Sequence, residues 1–350
     1  MSDSNLEVVL TEYVGKGNKP EAKHFLVQDA KDRNVELKDG EVRLETLYLS
    51  VDPYMRGRMN PDKSYAPPFT VGNPLNGSGC GRVTESKNGD YQVGDLLTSQ
   101  KSLTWPWRQY VIFNAEEVTQ YTKINDVPED LVPHTIGQLG MPGLTAYFGL
   151  LDRGQPKEGE TLVVSGGAGA CGSVAGQIGK LKGLRVIGIA GSDDKVDWMV
   201  KELGFDAGIN YTGKSAEQIS DELKQLAPNG VDIYYDNVGG DISVAVLRQL
   251  NQNARVPICG QISQYDKAQP DSLPDDVEAL LKERNVSRGW FMVFSYKTQF
   301  ETGWKELFEW VTSGKIKVQQ TVYEKIEEMP NAFLALFSGK NLGKLVVKIK

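Results

Sequence analysis

Of the side chains that most often hold a catalytic metal, this 350-residue chain has few: two histidines, His24 and His134, and three cysteines, Cys80, Cys171 and Cys259. A catalytic zinc takes three protein ligands from cysteine, histidine or acid. Neither histidine lies near a cysteine in sequence, so no metal site is expected. His134, just after Pro133, reads as a structural residue at a helix start. No G-x-S-x-G elbow occurs, and with only two histidines this argues against serine-hydrolase chemistry. Three widely spaced cysteines make no disulfide framework and point to a reducing compartment. No secretory signal, lipidation tag or bilayer-length apolar run is read, so the cytoplasm is the expected location. Positive charge is not in excess either. A net charge of −7 argues against nucleic acid or an anionic membrane surface as partner.

What is present is concentrated between Thr161 and Asn210. TLVVS is a β-branched apolar run that reads as a buried strand. Gly167-Ala-Gly169-Ala170-Cys171-Gly172 follows as G-x-G-x-x-G. Val174, Ile178 and Leu181 then recur at helical spacing, and RVIGIAG reads as a second strand. Between a strand and a helix the glycine motif signals dinucleotide binding. Gly167 allows a tight turn, Gly169 lets the backbone approach a pyrophosphate, and Gly172 lets helix and strand pack closely. The N–H groups of the helix start, around Ala170 and Cys171, face the phosphates. Cys171 itself reads as a small buried hydrophobe.

Residues 1 to about 125 are rich in short β-like runs broken by Gly, Pro, Asn and Asp, which predicts a mostly antiparallel, barrel-like domain. EVRLETLYLSVD alternates as a half-buried strand should. EDLVPHTIGQLGMPGLTAYFGLLDRG reads as a helical bridge. After it, LVVS, RVIGIA, AGINY, VDIYYD and RVPICG alternate with helical segments, the pattern of a doubly wound parallel sheet. WKELFEWVTSGKI is amphipathic, and KLVVKIK closes the chain as a strand. The domains are read as 1–130 with 314–350, and 131–313, the return of the C-terminal segment being what the resemblance drawn below implies.

In an NAD site an acid about twenty residues past the glycines holds the ribose. Here that place falls on Gly191 and Ser192, small and neutral, with Lys195 one turn further on to pair with a 2′-phosphate. This favours NADP, although Asp193 and Asp194 can also read as the ribose acid. Gly208 to Ser215 matches G-x-x-x-x-G-K-[ST], but the motif needs a strand before Gly208. The preceding KELGFDA is a helix end and loop, and Ile209 to Tyr211 are themselves a strand candidate, so triphosphate binding is not expected.

GMPGLTAYFGLL, VSGGAGACGS, AGSDDK, YYDNVGG, GQISQY and GKNLGK occur in order, with SVDPYMRGRM near the start. Together they resemble the zinc-free medium-chain dehydrogenases/reductases, in the branch of prostaglandin reductase, curcumin reductase and alkenal double-bond reductase. The likeness covers essentially the whole chain. Zinc-dependent relatives carry a cysteine where Asp52 stands. The resemblance implies a GroES-like β-rich domain beside a Rossmann domain. It implies NADPH-dependent reduction of the C=C bond of a small apolar enone or enal, with hydride reaching the β-carbon. It also implies a homodimer.

Residue by residue, Tyr265 matches the tyrosine that bonds the carbonyl or enolate. Lys195 and Tyr211 match 2′-phosphate contacts. Asn237, Asn341, Met141 and Thr145 match cofactor contacts, and Phe291, Met292 and Val293 match a segment beside the carboxamide. Tyr54 and Tyr65 match substrate-pocket residues, with substrate expected in the cleft between the domains. Arg56 is read either as a carboxylate partner or as a surface arginine, and Trp105 and Trp107 as packing. The alternatives are a quinone reductase of the same superfamily and a non-catalytic NADPH-binding protein.

Overall fold

The computed structural model describes residues 4–62 and 66–350. The chain divides into two compact units, Met1–Gly140 with Gln320–Lys350, and Met141–Gln319. No helix among the described residues is long and apolar enough to cross a membrane.

The first unit is β-rich. Among the described residues its main sheet has seven strands, six in one path and Tyr110–Phe113 off it, and Val42–Ser50 pairs antiparallel with Gly79–Ser86, Tyr110–Phe113 and the C-terminal strand Lys344–Lys348. Burial alternates along Val42–Ser50 as far as Thr46 and then breaks, because the pairing register slips between Thr46 and Tyr48. A bulge of this kind re-aims the side chains beyond it. Trp105 and Trp107 are fully buried in this unit's core, and the Trp105 indole N–H donates to Thr46 Oγ1 at 3.1 Å.

The second unit carries a six-stranded parallel sheet. In chain order we number its strands β1 (Thr161–Ser165), β2 (Arg185–Ala190), β3 (Ala207–Asn210), β4 (Val231–Tyr235), β5 (Leu250–Ile258) and β6 (Ser287–Trp290). The spatial order is β3-β2-β1-β4-β5-β6, with every pair parallel. β1 and β2 are almost wholly buried, as strands covered on both faces by helices must be. The first five strands coincide with the apolar runs of the sequence. β6, SRGW, is an addition: short, polar and at the sheet edge, it offers no apolar run to read.

The helices used below are α1 (Met141–Phe148), α2 (Ala170–Leu181), α3 (Asp193–Lys201), α4 (Ala216–Leu226) and α5 (Gly240–Leu247). The stretch read as one helical bridge is three pieces: a 3₁₀ helix at Glu129–Ile136, α1, and a π-helical turn at Gly149–Gly154. The first break lies at Gly140, where a Cβ would come within 2.3 Å of the Thr135 carbonyl oxygen.

Candidate active site at the carboxyl ends of the parallel strands

Strand order reverses between β1 and β4, and in open parallel sheets ligands bind in the crevice at that switch point. The glycine turn sits there. Its left-handed residue is Gly166 (φ +59°), immediately before the motif's first glycine. Gly167 is instead a close approach, since a Cβ there would lie 2.5 Å from Met199 Sδ. At Gly172 a Cβ would lie 2.2 Å from the Gly166 carbonyl oxygen, so α2 closes onto the turn only with glycine. Gly169 is the N-cap of α2 and offers no capping side chain. The first-turn N–H groups of a helix have no intrahelical acceptors, and at an uncapped N-terminus they suit a phosphate. Ala170 and Cys171 occupy that turn and are half-buried, so Cys171 is not the buried hydrophobe it reads as.

A second cluster lies at the ends of β2 and β3. Ser192 caps α3, accepting from Lys195 N–H at 3.4 Å. The Tyr211 ring lies over Gly191, where a Cβ would be 2.9 Å from the phenol oxygen. Lys195 is half-buried, and burial holds its ammonium below its ordinary pKa. Asp193, a rival ribose acid in the sequence, accepts from Asn210 Nδ2 at 2.8 Å instead. This donor set, with an uncapped glycine turn before it, fits a dinucleotide bearing a 2′-phosphate. The P-loop lookalike is accounted for otherwise: Ile209 and Asn210 lie in β3, Lys214 pairs with Glu222, and Ser215 caps α4.

The third cluster surrounds Tyr265. Its hydroxyl accepts from Gln261 N–H at 3.3 Å and sits beside Gly260. Burial is the largest cause pushing the phenol up to about 12, with smaller contributions from Cys259, Asp236 and Cys171. Tyr235, fully buried at the end of β4, donates to the Thr145 carbonyl at 3.0 Å and meets the Phe291 ring edge-on at 6.5 Å. Gly149 admits both rings, for a Cβ there would be 2.4 Å from the tip of Phe291 and 2.8 Å from the Tyr235 oxygen. Thr145 Oγ1 donates to the Met141 carbonyl at 2.7 Å, leaving its own carbonyl to Tyr235. Val293 is buried at the start of the next 3₁₀ turn, while Met292 is exposed. Asn237 sits between Gly166 and Gly260 and donates from Nδ2 to the Ser165 carbonyl at 2.7 Å.

Sequence reasoning gave no role to Asp236 beyond ending a strand. It is fully buried and accepts from Tyr234, Ser243, Ser165 and the N–H groups of Val238 and Gly239 at 2.7–3.3 Å. The signal was a lone acid after an apolar strand, YYD, immediately before a glycine turn.

Two site residues belong to the first unit. Asn341 donates to the Gly343 carbonyl at 3.0 Å. Tyr54 starts the one-turn helix Met55–Arg58. Tyr65 lies outside the described residues. Arg56 is neither a surface residue nor poised for a carboxylate: fully buried, it donates to the carbonyls of Gly15 and Asn18, each at 2.7 Å.

A parallel sheet in this order with a glycine turn at its switch point defines a dinucleotide-binding class of protein. Residues 17–121 match the family model for the N-terminal domain of oxidoreductase, and residues 170–313 the model for zinc-binding dehydrogenase. The chain is 46% identical over 318 residues to the putative NADP-dependent oxidoreductase YfmJ of Bacillus subtilis, covering 90% of each. It is 41% identical to the NADPH-dependent curcumin reductase of Escherichia coli, over 89% of this chain and 88% of that protein. The crystal structure of CurA from Vibrio vulnificus in complex with NADPH superposes with a TM-score of 0.88 at 37% identity over 99% of both chains. The chain therefore belongs to the medium-chain dehydrogenase/reductase family of oxidoreductases.

The zinc in one model's description does not fit the residues present. Among the described residues no group of three or more His, Cys, Asp or Glu side chains could hold a metal ion. Asp52 is buried against Lys344 at 3.3 Å and accepts from Ser50.

Proposed function

We propose that this protein reduces the carbon–carbon double bond of small apolar α,β-unsaturated ketones or aldehydes, with NADPH as reductant. The observation that carries the reading is a half-buried tyrosine, Tyr265, in the loop after β5, whose hydroxyl accepts from Gln261 N–H in the same unit as the glycine turn. The activities named for its relatives support it. When bound, the cofactor supplies a hydride to the β-carbon. As that carbon is reduced, the C=C electron pair shifts and leaves an enolate charge on the carbonyl oxygen, the enolate then takes a proton from solvent at the α-carbon, and a donor placed at the oxygen lowers the barrier. Tyr265 is that donor. Its oxygen accepts from Gln261 N–H, so its own proton points elsewhere. With a pKa near 12 it stays protonated at neutral pH.

The glycine turn with Ala170, Cys171 and the start of α2 takes the pyrophosphate. Ser192, Lys195 and Tyr211 take the 2′-phosphate, for which Gly191 leaves room. Asn237, Met141, Thr145, Phe291 and Val293 surround the nicotinamide end. Tyr54 and Asn341, in the first unit, and Tyr65 carry the substrate and cofactor roles that the resemblance implies. The protein works in the cytoplasm as a homodimer. The exposed edge of β6, with Trp290 exposed, supports pairing between copies. Sedimentation of a monomer would refute the dimer.

A panel of enones, enals and a quinone assayed by NADPH consumption tests the activity. Turnover of the enones is expected. Preference for the quinone would make it a quinone reductase, and tight NADPH binding without turnover a non-catalytic binder.

A further inference from the structure

The loop that carries Tyr265 is stitched to the end of β4. Cys259 N–H and Gly260 N–H donate to the Asp236 carbonyl at 2.8 and 3.1 Å, and Ile262 N–H to that of Asn237 at 3.3 Å. Ser263 gives both its N–H (3.1 Å) and its hydroxyl (2.7 Å) to the Val238 carbonyl. Gln261 adds a side-chain strut. Its Nε2 donates to Asp236 Oδ2 at 3.4 Å, while its backbone N–H donates to the Tyr265 hydroxyl at 3.3 Å. The strut lies over Gly239, where φ is +76° and a Cβ would come within 2.9 Å of Gln261 Cβ.

We propose that Gln261 is a positioning residue for Tyr265, its amide fastened to the buried Asp236 carboxylate and its N–H fixing the phenol oxygen. The proposal rests on the reading of Tyr265 as the carbonyl donor. The carboxylate does not depend on Gln261, because three other side chains and two backbone N–H groups already donate to it. Removing the amide therefore frees the loop at one point and leaves its backbone stitches in place. A donor displaced by a fraction of an ångström serves a developing oxyanion much less well.

The test compares wild type, Gln261→Ala, Tyr265→Phe and the double variant. Gln261→Ala is expected to lower kcat about tenfold with the NADPH Kd unchanged, and to cost nothing more once Tyr265 is Phe. The same loss in the Tyr265→Phe background would overturn the proposal, since the glutamine would then act independently of the phenol. A weakened NADPH Kd with kcat intact would overturn it too. Fluorine NMR of fluorotyrosine-labelled protein reads the position without turnover. The Tyr265 signal, assigned by its loss in Tyr265→Phe, should move in Gln261→Ala, and a stationary signal refutes the strut. If Tyr265→Phe alone leaves kcat unchanged, the donor reading falls, while the fluorine comparison still decides whether the strut positions the ring.

Discussion

The two ends of the same parallel sheet are built differently. At the centre, around β1, β4 and β5, polar groups are buried and cross-connected. Asp236 gathers donors from three segments, Tyr235 is pinned to Thr145, and the Tyr265 loop is laced to residues 236–238. At the flank, around β2 and β3, Tyr211 and Asp193 are exposed and Lys195 is half-buried on a helix start. Buried networks hold positions, and half-exposed charges recognise a ligand without ordering much around it. On the proposed reading, the contrast puts chemistry and cofactor identity in separable parts of one sheet edge. Substitutions at the centre should alter kcat, and those at the flank the choice of cofactor.

The largest effect is expected where both parts depend on one turn. Gly172→Val sets a Cβ against the Gly166 carbonyl, so NADPH binding should fall by more than about 1,000-fold with the far-ultraviolet circular dichroism retained. Near-normal affinity by calorimetry would show that the turn tolerates opening. Next, Tyr265→Phe should lower kcat about 10²–10³-fold while the NADPH Kd holds. An effect confined to KM would move Tyr265 from chemistry to binding. Smaller again, Lys195→Ala should weaken NADPH about 10- to 30-fold, the worth of one charge-assisted bond, with NADH and kcat untouched. Equal weakening of both cofactors would mean that the 2′-phosphate is read elsewhere.

The smallest effect is on pH. Burial disfavours the phenolate of Tyr265, so its proton is retained until about pH 12 rather than lost near 10. kcat should show no loss assignable to this group as pH rises from neutrality to 10. A Tyr265-dependent alkaline fall below pH 9, absent from Tyr265→Phe, would contradict the burial.

Five strands of the parallel sheet were legible because buried parallel strands are written as continuous apolar runs. β6 was not, because an edge strand of four residues needs no such run. The 129–154 stretch reads as one helix because periodicity does not register the close contacts that break it at Gly140. Local motifs likewise give the glycine turn and point to Lys195, whereas the role proposed for Tyr265 comes from the resemblance that GQISQY carries. What escaped was non-local. Arg56 is buried by carbonyls about forty residues upstream, and Asp236 takes donors from residues as far away in sequence as Ser165. The left-handed residue of the turn, Gly166, lies one place before the motif, which records glycines and not their dihedrals.

The central claim is that the alkene, not the carbonyl, is reduced, with its β-carbon receiving the hydride. Reducing an enone with NADPH deuterated at the nicotinamide C4 and locating the label by NMR tests it most directly. The account predicts a saturated ketone with deuterium on the former β-carbon. Deuterium on the carbonyl carbon of an allylic alcohol would contradict it.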